Sequence, residues 1–95
     1  MYIISLKYTV ALNKIEEHLE EHVEYLKKNY KAKHFIASGR KVPRDGGIIL
    51  ATIKSRETLD KIIKEDPFYI HQLADYHITE FIPSMTSDKL TSLKE

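Results

Sequence analysis

Residues 43–54 read Pro43-Arg44-Asp45-Gly46-Gly47-Ile48-Ile49-Leu50-Ala51-Thr52-Ile53-Lys54, and the second half of this stretch decides the fold. Successive side chains on a strand point to opposite faces, so a strand with one covered face is apolar only at alternate positions. Here Ile48 and Leu50 fall on one face and Ile49, Ala51 and Ile53 on the other. The pattern predicts a central strand covered on both sides. The preceding Pro-Arg-Asp-Gly-Gly run holds residues that set or permit unusual backbone angles and reads as a turn. Before it, residues 34–42 contain Phe35, Ile36 and Ala37 and supply the partner strand of a hairpin.

Working outward, residues 2–9 alternate Tyr2, Ile4, Leu6 and Tyr8 against Ile3, Ser5, Lys7 and Thr9, a strand with one strongly apolar face. From about Asn13, a predicted N-cap, the period changes. Ile15, Leu19, Val23, Leu26 and Tyr30 recur at helical spacing, with glutamates early and lysines late as the helix dipole prefers. After the hairpin, Ser55 reads as the N-cap of a second helix with Leu59, Ile62 and Ile63 inward. Asp66-Pro67 then restarts a short helical turn. Residues 75–82 alternate again, with Tyr76, Ile78 and Ile82 against His77, Thr79 and Phe81, and Pro83 ends that strand. The reading gives one domain over residues 1–83 and a polar segment, 84–95, expected as a loose tail or one short helix on a partner.

A β-α-β-β-α-β order with right-handed crossovers places both helices on one face of a four-stranded antiparallel sheet, the ferredoxin-like α+β arrangement. Its other face then meets water. Because the third strand is apolar on both faces, and Ile3 and Phe81 add to the uncovered side, that face is expected to pack on a second copy. The expected assembly is a homodimer, a dimeric α+β barrel.

Composition narrows the chemistry. The 95 residues include no cysteine, which excludes disulfides, thiolate nucleophiles and cysteine-ligated metals in this chain. A formal net charge of +1, with no basic run longer than Lys27-Lys28, gives no field to gather nucleic acid. No apolar run reaches the roughly 20 residues of a membrane span, and no basic segment precedes the apolar start, so a cytoplasmic location is expected.

Histidine is the side chain whose unperturbed pKa lies nearest neutrality, and five are present. His22 falls about 20° outside the predicted core stripe of the first helix, at the border of core and solvent, and His18 about 60° out. The run His18-Leu19-Glu20-Glu21-His22 lacks the glutamate directly after the first histidine that a zincin needs, and no third ligand is indicated. No metal is expected. Asp66 is expected to cap the short turn while leaving its carboxylate able to orient a histidine. Ser38-Gly39 reads as a strand end, and Arg40, Lys41 and Arg44 gather near the hairpin where an anion would be received. Tyr2, Tyr8, Tyr69 and Tyr76 read as packing residues with a wet hydroxyl end.

His22-Val23-Glu24-Tyr25-Leu26-Lys27-Lys28, Ser38-Gly39, Gly46-Gly47-Ile48-Ile49-Leu50-Ala51, Glu65-Asp66-Pro67-Phe68 and Tyr76-His77-Ile78-Thr79-Glu80-Phe81, in this order and spacing, resemble the YciI-like proteins over roughly residues 1–83. The resemblance implies a ferredoxin-like subunit of a dimeric α+β barrel. It also implies that His22 and Asp66 match the family's proposed active-site dyad, near Ser38-Gly39. One characterised type in that family removes chloride from a chlorinated hydroxyhydroquinone, a lyase chemistry. Many members carry proline after Ser-Gly, where this chain has Arg40, which implies an anion preference. The expectation is therefore a cofactor-free lyase or isomerase in which His22 and Asp66 are catalytic and Ser38, Gly39 and Arg40 hold an anionic or phenolic molecule. The alternative is a non-catalytic binding or regulatory module on the same barrel.

Overall fold

The computed structural model describes all 95 residues. In chain order it contains β1 (Tyr2–Tyr8), α1 (Leu12–Glu17), α2 (Leu19–Lys31), β2 (Phe35–Arg40), β3 (Gly46–Ala51), α3 (Arg56–Lys64), α4 (Pro67–Ile70) and β4 (Ala74–Glu80). The strands form one antiparallel sheet of order β2-β3-β1-β4. The helices cover one side of it. A single core joins Tyr2, Ile4, Leu6, Ile49 and Ala51 from the sheet to Ile15, Tyr25, Leu59, Ile62, Ile63 and Phe68 from the helices. This is the expected ferredoxin-like α+β layering, with β3 and β1 central. No helix is long and apolar enough to cross a membrane.

Register sorts the two sheet faces. Tyr2 stands opposite Ala51, Ile4 opposite Ile49 and Leu6 opposite Gly47, all toward the helices. Ile3 opposite Leu50 and Ser5 opposite Ile48 therefore point the other way. Ile3, Ile48 and Leu50 are only partly buried, so the uncovered face carries an apolar centre. Ser38 pairs with Ile49 and Arg40 with Gly47, which turns both toward the helices.

Three local expectations are met, two of them by hydrogen bonds. Ser55 Oγ accepts the Thr58 N–H at 3.1 Å and caps α3, Asp66 Oδ1 accepts the Phe68 N–H at 3.0 Å, and Pro67 takes the first position of α4. Three others are corrected. The first helix begins from Ala11, which has no side-chain cap, so Asn13 lies inside α1 rather than capping it. β2 continues through Ser38-Gly39 to Arg40, so that pair does not end the strand. The last strand stops at Glu80, leaving Phe81 and Ile82 beyond it and largely exposed. Residues 88–93 form a 3₁₀ turn, and the Glu95 N–H donates to the Pro83 carbonyl, so the tail folds back on its own chain.

The largest correction concerns the first helix. It breaks at His18 (φ −115°, ψ 7°), whose N–H donates back three residues to Ile15 instead of four. Beyond the break the buried positions are His22, Tyr25 and Asn29, while Leu19 and Val23 stay 36% and 37% exposed. At 100° per residue the inward stripe is turned by roughly 100° from the apolar one. Each inward polar group has a partner. Tyr25 Oη donates to the Ile62 carbonyl at 2.7 Å, and Asn29 Nδ2 donates to the Tyr25 carbonyl at 2.9 Å. A buried polar group with a partner carries little net penalty, so hydrophobicity alone does not decide which side turns in.

Gly46 is needed for close approach, since no glycine here has a positive φ. A Cβ at Gly46 would lie 1.8 Å from the Leu6 carbonyl oxygen, whereas at Gly39 it would meet nothing within 4 Å. Overpacking against backbone typically costs 1–3 kcal/mol or more. Gly46→Ala should lower unfolding free energy by about 3 kcal/mol in urea titrations, with Gly39→Ala near neutral. Equal stability of the two variants would contradict the register given above.

Candidate functional site

The break at His18 aims His22 at the junction of α2, α4 and β4. Its Nδ1 donates to Asp66 Oδ1 at 2.7 Å, and its ring lies flat on Phe68, with centroids 3.9 Å apart and planes at 3°. Asp66 is 0% exposed. Its Oδ1 also takes the Phe68 N–H, and Oδ2 takes the Tyr76 hydroxyl at 2.6 Å. One carboxylate thus accepts from three donors on three elements. A buried carboxylate is costly unless it is satisfied in this way. With Nδ1 committed to Asp66, Nε2 is left without a partner in the chain, and His22 lines the adjacent cavity.

That cavity, about 260 Å³, lies between α2 and the β2–β3 edge of the sheet. His22 and Phe68 form one wall. Leu19, Val23 and the partly buried Leu26 of α2 form another, and Ser38, Gly39 and Arg40 of β2 lie across from them with Ile49. The hydroxyls of Ser38 and Tyr30 share a short hydrogen bond. Arg44 reaches the rim, where Glu16 stands 3.5 Å from its Nη1; Arg40 has no such partner. An apolar cleft with a few convergent polar groups is the usual form of a small-molecule site.

All five residues singled out in the sequence therefore meet at one place: His22, Ser38, Gly39 and Arg40 at the cavity wall, and Asp66 behind His22. Lys41 does not line it. The sequence reading missed Phe68 and Tyr76. Alternation predicts Tyr76 as a packing tyrosine with a wet hydroxyl end, yet its hydroxyl donates to Asp66. Position on the inward face of the last strand was the one available signal.

A family model for the YCII-related domain matches residues 1–82. The chain belongs to this family. The YCII-related domain described here is also similar to a solved structure, 5-chloro-2-hydroxyhydroquinone dehydrochlorinase from Burkholderia phenoliruptrix AC1100 in complex with 2,5-dihydroxybenzoquinone. The TM-score is 0.71 at 16% identity, over 85% of this chain and 93% of that one, a likeness of fold. No curated protein matches this YCII-related domain significantly in sequence.

Two tyrosines register the buried carboxylate electrostatically. Burial pushes the Tyr76 hydroxyl well above its ordinary value, and the Asp66 charge and hydrogen bond push it further. Burial and then Asp66 and Glu65 raise Tyr25 likewise. Both pKa values are higher folded than unfolded, so the neutral hydroxyls' contribution is intact below the unfolded value near 10 and is lost as pH rises beyond it. Unfolding free energy should therefore fall above about pH 10, by up to ~1.4 kcal/mol per pH unit for each group. Denaturant titrations of Tyr76→Phe should show a shallower alkaline slope than the parent; an unchanged slope would contradict the burial of this hydroxyl.

Proposed function

We propose that this chain is a cofactor-free small-molecule enzyme of lyase or isomerase type that works by acid/base catalysis at His22. The observation that carries the reading is the buried 2.7 Å bond from His22 Nδ1 to Asp66. It leaves Nε2 as the proton-transfer atom at the wall of an otherwise apolar cavity. Asp66 holds the ring's tautomer and orientation, and Phe68 holds its plane. Substrate lies between the apolar stripe of α2 and β2, with the Ser38 hydroxyl and Arg40 guanidinium toward its oxygen atoms. An anionic or phenolic ring suits this lining: apolar faces for the ring, a cation for developing oxyanion charge. In an elimination, Nε2 takes a proton from the substrate as the leaving group departs with its electron pair; in an isomerisation it returns that proton to another atom.

The structurally similar dehydrochlorinase was solved with a dihydroxybenzoquinone, so chlorinated hydroxyhydroquinones and hydroxylated aromatic acids are the first compounds to test. Chloride release or an ultraviolet change should report turnover. His22→Ala should lower kcat/KM at least ~100-fold, the usual contribution of a general acid/base. Arg40→Ala should raise KM for anionic substrates more than it lowers kcat. Full activity in His22→Ala would overturn the assignment, and binding without any product would make the chain a ligand-binding module.

The same reading includes a homodimer formed through the uncovered sheet face, whose centre is Ile3, Ile48 and Leu50. Apolar area of this kind in contact with water is unfavourable at about 25 cal/mol per Å². Sedimentation at micromolar concentration should give a dimer, and Leu50→Lys a folded monomer. A monomeric parent would remove the dimer from the account.

A further inference from the structure

Beside the His22–Asp66 pair lies a second group of ligating side chains that the proposed reaction does not use. His18 occupies the break between α1 and α2, and His71 closes α4 just before Gln72, whose positive φ of 56° turns the chain toward β4. Neither position is a regular helical one, and together they place the two rings face to face. The centroids are 3.9 Å apart and the planes 25° from parallel. Glu21, three residues beyond His18, brings Oε1 to 3.4 Å from His18 Nδ1. One ligand atom from each of His18, Glu21 and His71 falls within 4.8 Å of the other two.

His18 Nδ1 is the informative atom. It is shielded from solvent and has no hydrogen-bond partner, because the Glu21 carboxylate, though only 3.4 Å away, lies out of line for a hydrogen bond. Buried polar atoms in folded proteins are nearly always satisfied, and an orphan calls for an explanation such as an ion. We propose that His18, Glu21 and His71 bind a divalent transition-metal ion of the zinc, cobalt or nickel class.

The donor set selects that class. Two imidazoles and one carboxylate suit borderline ions, whereas calcium and magnesium take oxygen ligands throughout. Bonds of about 2.0–2.1 Å place tetrahedral ligands roughly 3.3 Å apart, close to the present spacing of His18 Nδ1 and Glu21 Oε1, so the main movement asked is of His71, by up to about an ångström and a half. His71 and Glu21 are exposed and their terminal torsions are broad, so both are free to turn. Three protein ligands leave a fourth position for water or an exogenous donor. Bound, the ion ties the start of α2 to the end of α4, the two elements that carry His22 and follow Asp66. The site stands independently of the acid/base reading.

The test is a titration of tag-free protein with Co²⁺, followed by visible absorption and by ring ¹⁵N shifts of the histidines, with Zn²⁺ as competitor. One ion per chain should bind saturably, with an intense low-coordination cobalt band that zinc removes, and with the largest ring ¹⁵N shifts in the diamagnetic zinc form at His18 and His71. His71→Ala and Glu21→Gln, both at exposed positions, should weaken binding roughly tenfold or more; His34→Gln should not. Absence of saturable binding would leave the two rings a simple stacked pair and overturn the proposal, as would parent-like affinity in His71→Ala or equal loss in His34→Gln.

Discussion

The buried carboxylate of Asp66 is the constraint on which the rest of the molecule turns. It sits in the two-residue link between α3 and α4, directly before Pro67, and its oxygens draw one donor each from α2, α4 and β4. Removing a carboxylate from water is expensive, and here the expense is met by three short bonds and not by a neighbouring cation. The three elements are consequently held in one relation. α2 must present His22, β4 must present Tyr76, and α4 must begin where its first free N–H points back at Oδ1.

Much else follows from that demand. To turn His22 inward, the first helix breaks at His18 and rotates, which carries Leu19 and Val23 away from the core and onto the cavity wall, where the partly buried Leu26 joins them. The cavity thus owes its apolar lining to the same geometry that buries the histidine. Tyr25 and Asn29 come inward with His22 and are accommodated because the Ile62 and Tyr25 carbonyls can take their protons. The ring of Phe68, brought under His22 by the start of α4, completes a rigid mount for the imidazole.

The strands, α3 with its Ser55 cap, and the Asp66-Pro67 turn were legible in the sequence because periodicity and capping chemistry are local. The inward face of α2 was not. Helical spacing picks out Leu19, Val23 and Tyr30 as core, and only a partner 44 residues away, Asp66, makes His22 the better-buried side chain. The hydroxyl of Tyr76 was likewise undecidable without knowing what stands opposite it. Ser38, Gly39 and Arg40 were named as site residues, though with the strand ending too early; the sheet register, which turns Ser38 and Arg40 toward the helices, is a long-range property. The members of the candidate site were therefore easier to nominate from the sequence than its geometry, and the resemblance to YciI-like proteins suggested the pairing that periodicity could not.

The protonation pattern of the His22 ring reports most directly on the hold that Asp66 has over it. Long-range ¹H–¹⁵N correlation spectra of the protein, recorded where the His22 imidazole is neutral, distinguish a protonated nitrogen from a bare one. A protonated Nδ1 and bare Nε2 are predicted, because Asp66 accepts from Nδ1 and leaves Nε2 to the cavity. A protonated Nε2, or the averaged signals of a freely exchanging imidazole, would contradict the account.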